Sequence, residues 1–256
     1  PAYLDIQSGA LTPYGFAARL REALRPETKG IYLNTPNYPT GVVLADAYVQ
    51  ALASVAIERD LWVISDEAYE HLLFDGAKHV SLASLPGMAE RTISVYTFSK
   101  SYAMTGWRLG YVVSPREMRP VMGPLLTFYT THGVFPAVQT AGRAAVQGPQ
   151  VAVETMRAAY EERRDLLLAG LEGQGAIRCP KPQGAFYAFA DVSGARGERD
   201  IWDLVTEWLS FGVAVLPGTA FGAGYENWVR LSLATKREDV SEAAARLRQA
   251  VATAGV

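Results

Sequence analysis

The chain reads as an α/β protein, with a large domain of mostly parallel strands over residues 1–150 and a small α+β domain over residues 151–256. Three observations carry this reading. Short β-rich runs alternate with helical patterns through the first two thirds. Two of those runs end in an acid and an amine. From about Val151 the texture changes to a long charged helix followed by closely spaced strands.

The elements follow in order. Gly30-Ile31-Tyr32-Leu33 is a short β-rich run that opens into a turn-rich stretch from Asn34 to Gly41. Tyr48, Leu52, Val55 and Ala56 fall at i, i+4, i+7 and i+8, the spacing of one helix face. Leu61-Trp62-Val63-Ile64, ending at Ser65-Asp66, and Thr92-Ile93-Ser94-Val95-Tyr96, ending at Thr97-Phe98-Ser99-Lys100, read as buried parallel strands. A third strand is expected at Leu109–Val113, closed by Ser114-Pro115. The small domain opens with a helix over Val151–Leu171 and continues with a strand at Ala185–Phe189 and a helix near Ile201–Phe211. Strands near Val213–Val215 and Trp228–Ser232 and a last helix from about Glu238 complete it.

Composition narrows the function. With 24 Lys and Arg against 26 Asp and Glu, the formal charge is −2, and no basic excess exists to collect the phosphates of a nucleic acid. The only cysteine, Cys179, excludes an intrachain disulfide and fits a reducing compartment. The opening residues Pro1 to Asp5 lack the basic and apolar regions of a signal peptide, so a cytoplasmic location is expected. The uncharged stretch from Pro120 to Gly142 is too interrupted by Pro120, Pro124, Pro136, Gly123 and Gly133 to sit in lipid. It reads instead as a buried or interface segment. No metal site is expected.

In an open parallel sheet, ligands bind beyond the carboxyl ends of the strands. Asp66 and Lys100 both stand at such ends and would face one crevice. Alone, each has an ordinary explanation, a helix cap for Asp66 and a solvated charge for Lys100. Their surroundings decide otherwise.

Ser65-Asp66-Glu67-Ala68-Tyr69 and the run from Thr97 to Tyr111, with Ser99-Lys100-Ser101-Tyr102-Ala103-Met104-Thr105-Gly106-Trp107-Arg108-Leu109-Gly110-Tyr111 at its centre, resemble the class I/II aminotransferases. These are pyridoxal-phosphate enzymes of fold type I related to aspartate aminotransferase. The likeness extends through Asn34–Gly41, Gln183–Tyr187 and the stretch from Pro217-Gly218 to Arg230-Leu231-Ser232. It implies a pyridoxal 5′-phosphate cofactor joined to Lys100 as a Schiff base, which needs a neutral lysine amine at working pH. Lys100 would also carry the proton between substrate and cofactor carbons. Asp66 would keep the pyridine nitrogen protonated, and Tyr69 would hydrogen-bond the ring oxygen. Thr97, Ser99 and Arg108 would hold the phosphate, and Arg230 would take the substrate α-carboxylate as a bidentate pair. The implied reaction moves an amino group between an L-amino acid and a 2-oxo acid, in a homodimer with its sites at the subunit interface.

Two departures from the family pattern bear on this. The family has asparagine immediately before Pro-Thr-Gly, bonded to the cofactor's ring oxygen, whereas this chain has Tyr38 there and Asn37 one residue earlier. Either Tyr38 substitutes its own hydroxyl, or a loop shift brings Asn37 in, or the contact is missing. A lyase or oxidase on the same scaffold is the alternative this raises. The second departure is length. The resemblance implies that the family's N-terminal portion, with its first sheet strands, its phosphate-binding turn and the aromatic stacked on the pyridine ring, lies outside these residues. The chain would then match the C-terminal two thirds of an aminotransferase, and would be an inactive fragment if it needs that portion. Phe186, Tyr129 and His132 are expected either as pocket lining or as core.

Overall fold

A computed structural model of the 256-residue chain describes residues 12–130 and 133–253. His132 and the first eleven residues, read above for pocket lining and for a signal, lie outside the described residues. The chain divides into two compact units. One comprises the chain up to Pro36 together with Val43–Glu154, and the other comprises Asn37–Val42 together with the chain from Thr155 onward. The stretch Asn37–Val42 thus groups with the C-terminal residues rather than with its sequence neighbours.

In the first unit the order is α1 (Pro13–Ala23), β1 (Gly30–Asn34), α2 (Asp46–Glu58), β2 (Trp62–Asp66), β3 (Thr92–Thr97), α3 (Phe98–Ser101), β4 (Gly110–Val113), α4 (Arg119–Tyr129) and α5 (Pro136–Gln147). Helix α1 starts where Thr12 caps it, its Oγ1 accepting from Gly15 N at 3.1 Å, with Pro13 at the first helical position. The sheet order is β1-β2-β3-β4. β1, β2 and β3 are parallel as expected, but β4 runs antiparallel to β3, with Thr97 opposite Gly110. Its reversal follows from the connection: Phe98 N donates to Leu109 O, so the chain between Thr97 and Gly110 closes as a loop on the same edge, and the four-residue α3 within it is too short to serve as a crossover helix.

The expectation that β2 is buried on both faces is also corrected. Val63 and Ser65 point into a core with Phe16, Leu20, Leu33, Val49, Leu52, Val55, Leu82 and Met88, while Trp62 and Ile64 point outward. Helices α1 and α2 supply the covered face. Tyr32, Tyr111 and Val113 are exposed on the sheet as well. The Pro120–Gly142 stretch contains most of α4 and the start of α5. Its Val121, Leu125, Phe128, Tyr129 and Phe135 are exposed, so these side chains are not buried within the chain, and Tyr129 is not core.

The second unit takes most of α6 (Val151–Leu171), then β5 (Tyr187–Asp191), α7 (Ser193–Arg196), α8 (Ile201–Ser210), β6 (Leu216–Pro217), β7 (Trp228–Ser232) and α9 (Arg237–Thr253). Its sheet is antiparallel with β7 central, in the order β5-β7-β6. β5 starts two residues later than the apolar run suggests because Ala185 sits at φ 60°, which breaks the extended path. The strand expected at Val213–Val215 is absent there. Val213 N instead donates to Trp208 O and closes α8, so pairing starts only at Leu216 opposite Arg230. Phe186 is 8% exposed and stacks on Tyr160, which makes it core. Among the described residues no helix is long and apolar enough to cross a membrane.

Candidate active site

In the first unit, parallel pairing aligns the carboxyl ends of three strands: Asn34 lies opposite Asp66, and Asp66 opposite Val95. This register brings chemistry to one end of the sheet. Asp66 is fixed there by three bonds. Tyr32 Oη donates to its Oδ2 at 2.6 Å, Ala68 N donates to its Oδ1 at 3.2 Å, and Asn34 Nδ2 donates to its backbone oxygen at 3.1 Å. Burial, followed by the bond to Asp66, raises the pKa of the Tyr32 phenol and keeps it a donor.

The connection from β3 to β4 carries the rest. Thr97 caps α3, its Oγ1 accepting from Ser99 N at 3.1 Å, and Thr105 Oγ1 ties the following turn to Ser99 O at 2.9 Å. Phe98 N donates to Leu109 O, which closes the loop at its base. Lys100 stands on α3 with its Nζ 5.9 Å from the centre of the Tyr69 ring, which is buried. Arg108 adopts a left-handed conformation at φ 54° and ψ 50°, and its Nη1 donates to Thr105 O at 2.9 Å. The Lys100 amine is held below the ordinary lysine value by burial first and by the Arg108 charge second, with Asp66 opposing. The structure therefore assembles Asp66, Tyr69, Thr97, Ser99, Lys100 and Arg108 at one sheet end.

Two contributors are missing from the sequence reading. Tyr32 holds Asp66 from the neighbouring strand, and the in-register partner of a strand-end acid is the place to look for such a donor. Glu67 is buried at 1% exposure and gathers Ser65, Ser81, Tyr96 and His79 around its carboxylate. The signal is strand alternation, because Glu67 follows Ser65 by two and falls on the covered face, where a charge must find partners.

Asn37, Tyr38 and Arg230 belong to the second unit. Asn37 Oδ1 accepts from Thr40 Oγ1 at 2.7 Å and from Thr40 N at 3.4 Å, which shapes the turn. Tyr38 Oη accepts from Arg230 Nη1 at 2.7 Å. Arg230 lies on β7 opposite Phe189 and Leu216, with its buried Nε lacking a hydrogen-bond partner.

The donor set of the first unit fits pyridoxal 5′-phosphate by its chemistry. Lys100 is an amine displaced toward its neutral form, Thr97, Ser99 and Arg108 supply hydroxyls and a fixed cation, and Tyr69 supplies a phenol. Asp66 accepts one bond on each oxygen, and since a carboxylate offers about four acceptor positions it retains capacity for a ring N–H.

Comparison with known proteins points the same way. Residues 4–247 match the model of the family aminotransferase class I and II. The chain is 38% identical over 235 residues to aromatic-amino-acid aminotransferase 2 of Thermococcus litoralis, covering 90% of this chain and 59% of the relative. It is 39% identical over 235 residues to aspartate aminotransferase of Pyrococcus abyssi, with 90% and 59% covered. Among solved structures, an aromatic aminotransferase from Pyrococcus horikoshii superposes with a TM-score of 0.87 at 38% identity, over 92% of this chain and 63% of that one. An aspartate aminotransferase from Rhizobium meliloti gives 0.88 at 33% identity, over 97% and 64%. The chain thus spans about 59% of the length of the curated relatives it matches. On this match, which runs through both compact units, the chain belongs to the aminotransferase class I and II family and shares its fold type I architecture.

Proposed function

We propose that the protein carrying this chain is a pyridoxal-phosphate-dependent aminotransferase that moves an amino group between an L-amino acid and a 2-oxo acid. The observation that carries the proposal is the gathering of Asp66, Tyr69 and Lys100 at aligned strand ends, with the Lys100 amine displaced toward its neutral form. When bound, the cofactor supplies an aldehyde that takes up amines and a ring that accepts the electron pair of the substrate α-carbon. The protein's own groups do the rest. Lys100 Nζ takes the proton from the α-carbon and returns it on the other side of the transfer. Asp66 holds the proton of the ring nitrogen, and Tyr69 donates to the ring oxygen. Thr97, Ser99 and Arg108 hold the phosphate, and the Arg230 fork takes the α-carboxylate.

The test is the visible absorption of the purified chain titrated with pyridoxal phosphate, with Lys100→Ala as control. A band that needs Lys100 and moves when an amino acid is added is the expected result. A band indifferent to Lys100 overturns the assignment. Keto acid beyond one equivalent per site should form only with an amino acceptor present; ammonia released without one would assign elimination or oxidation instead.

A homodimer belongs to the same proposal. Its support is the run of exposed apolar side chains on α4 and at the start of α5, of which Phe128 and Tyr129 are each 78% exposed. Phe128→Asp should halve the mass measured by light scattering, and an unchanged mass removes α4 from the interface. A cytoplasmic setting is proposed with it, on the chain's single cysteine.

A further inference from the structure

The guanidinium of Arg230 is held in an unusual way. It lies among three rings, 4.8 Å from the centre of Tyr187, 5.7 Å from Tyr38 and 6.0 Å from Phe221. Its Nη1 donates to Tyr38 Oη at 2.7 Å, and among the described residues it makes no other hydrogen bond. Its Nε is buried without a partner. A guanidinium has two edges that match a carboxylate, the end formed by Nη1 and Nη2 and the side formed by Nε and Nη2. Tyr38 stands on the first and leaves the second.

We propose that Tyr38 is a positioning residue of the carboxylate site: its hydroxyl and ring hold Arg230 by the Nη1 end, so that the Nε–Nη2 edge receives the carboxylate of an amino or 2-oxo acid. This rests on the assignment of Arg230 under Proposed function. Three features support it. A buried N–H without a partner is costly, and a planar oxyanion at the side edge satisfies it. The group holding the other end is a phenol rather than a carboxylate, so it orients the guanidinium and leaves its positive charge for the ligand. Finally, Tyr38 is itself braced, edge-on to Tyr187 at 4.8 Å and to Phe221 at 5.4 Å, so its hydroxyl is presented from a fixed ring. Tyr38 therefore works on the substrate end of the reaction, at a sequence position where the family's asparagine works on the cofactor.

The test uses pyruvate and pyruvamide, which differ only in the charged group, titrated calorimetrically into the chain loaded with pyridoxal phosphate. The wild-type chain should prefer pyruvate. Tyr38→Phe keeps the ring and removes only the oxygen, and should cut that preference roughly tenfold, the worth of one hydrogen bond to a charged group. Arg230→Gln should abolish it. If Arg230→Gln abolishes the preference and Tyr38→Phe leaves it whole, the role of Tyr38 is overturned while Arg230 keeps its assignment. If Arg230→Gln leaves the preference intact, the carboxylate site itself is misplaced and the role of Tyr38 falls with it. A measurement on the wild-type chain stands apart from any folding defect: the ¹H–¹⁵N signal of Arg230 Nε should move on adding pyruvate and stay still with pyruvamide. Movement confined to the Nη signals overturns the edge assignment.

Discussion

Glu67→Ala should destabilise the first unit by about 3–5 kcal/mol, the usual cost of removing one member of a buried, hydrogen-bonded charge cluster. The structure says where that figure arises. Glu67 Oε1 accepts from Ser65 Oγ and Ser81 Oγ, each at 2.9 Å; Oε2 meets His79 Nε2 at 2.9 Å and accepts from Tyr96 Oη at 3.2 Å. Ser65 is buried and the His79 side chain is only 9% exposed, so each loses its partner with no water to replace it, at about 1–3 kcal/mol apiece. Ser81 and Tyr96 are partly exposed and turn to solvent. Glu67→Gln keeps an acceptor oxygen for both serines and should cost less, about 1–2 kcal/mol. The pH dependence has a definite sign. Burial pushes the Glu67 carboxyl up, but the bonds from His79, Ser81 and Ser65 together hold it below its ordinary value of 4.5. Its stabilisation is therefore complete above pH 4.5 and fades as pH falls through the lower folded value. Hydrogen–deuterium exchange at the β2 and β3 amides reads the opening of this unit. Glu67→Ala should accelerate exchange roughly 10²–10⁴-fold at pH 7, with the gap narrowing only below pH 4.5. Acceleration under about tenfold, or a gap flat through acid pH, would refute the assigned network.

Three further outcomes are expected. Competitive acetylation of Lys100 against pH should show a midpoint below the ordinary lysine value of 10.5, rising in Arg108→Gln and falling further in Asp66→Asn; an ordinary midpoint contradicts the site electrostatics. Glu70 is raised to about 7, by burial first and by Glu67 second, so the folded state favours its protonated form and loses stability as pH rises from 4.5 to about 7. Glu70→Gln should flatten the fall in Tm between pH 5 and pH 8, and equal slopes in both proteins count against it. Gly41 has φ +70°, and a Cβ there would stand 2.5 Å from Pro182 Cβ and 2.9 Å from Gly184 O. Gly41→Ala should lower the stability of the second unit by at least about 2 kcal/mol, from backbone strain and overpacking together, and a urea midpoint equal to that of wild type excludes this.

In the sequence itself Asp66 and Lys100 are legible as a pair because each ends an apolar run, and runs that alternate with helical patterns pair in parallel and share an end. The helix from Val151 to Leu171 and the strand from Trp228 to Ser232 are legible because length and β-enrichment leave little choice there. What is not legible depends on neighbours far along the chain. Tyr32 looks like an ordinary strand tyrosine until register places it against Asp66. The direction of β4 is set by the loop that Phe98 N and Leu109 O close, rather than by its own residues. Helices α4 and α5 hide behind prolines, because Pro120 and Pro136 occupy first-turn positions where a missing N–H costs nothing.

The turn-rich stretch from Asn34 onward shows most clearly why motif position alone is a poor guide to role. Its first residues serve the first unit: Asn34 bonds the Asp66 backbone, and Thr35 Oγ1 accepts from Leu44 N at 2.9 Å. Three residues on, the chain groups with the other unit, where Gly41 O accepts from both Gln183 N and Gly184 N at 2.9 Å. One continuous motif therefore reports on two bodies. An amide at position 38 is short and acts close to the backbone, whereas a phenol reaches several ångströms further and finds Arg230. On the role proposed for Tyr38, the phenol gives this position a reach to the carboxylate-binding Arg230. On that role, Tyr38→Asn should lower discrimination between carboxylate and carboxamide ligands as Tyr38→Phe does, because both remove the hydroxyl that accepts from Arg230 Nη1. Discrimination at the wild-type level in Tyr38→Asn would show that the backbone of the turn, and not the phenol, orients the guanidinium.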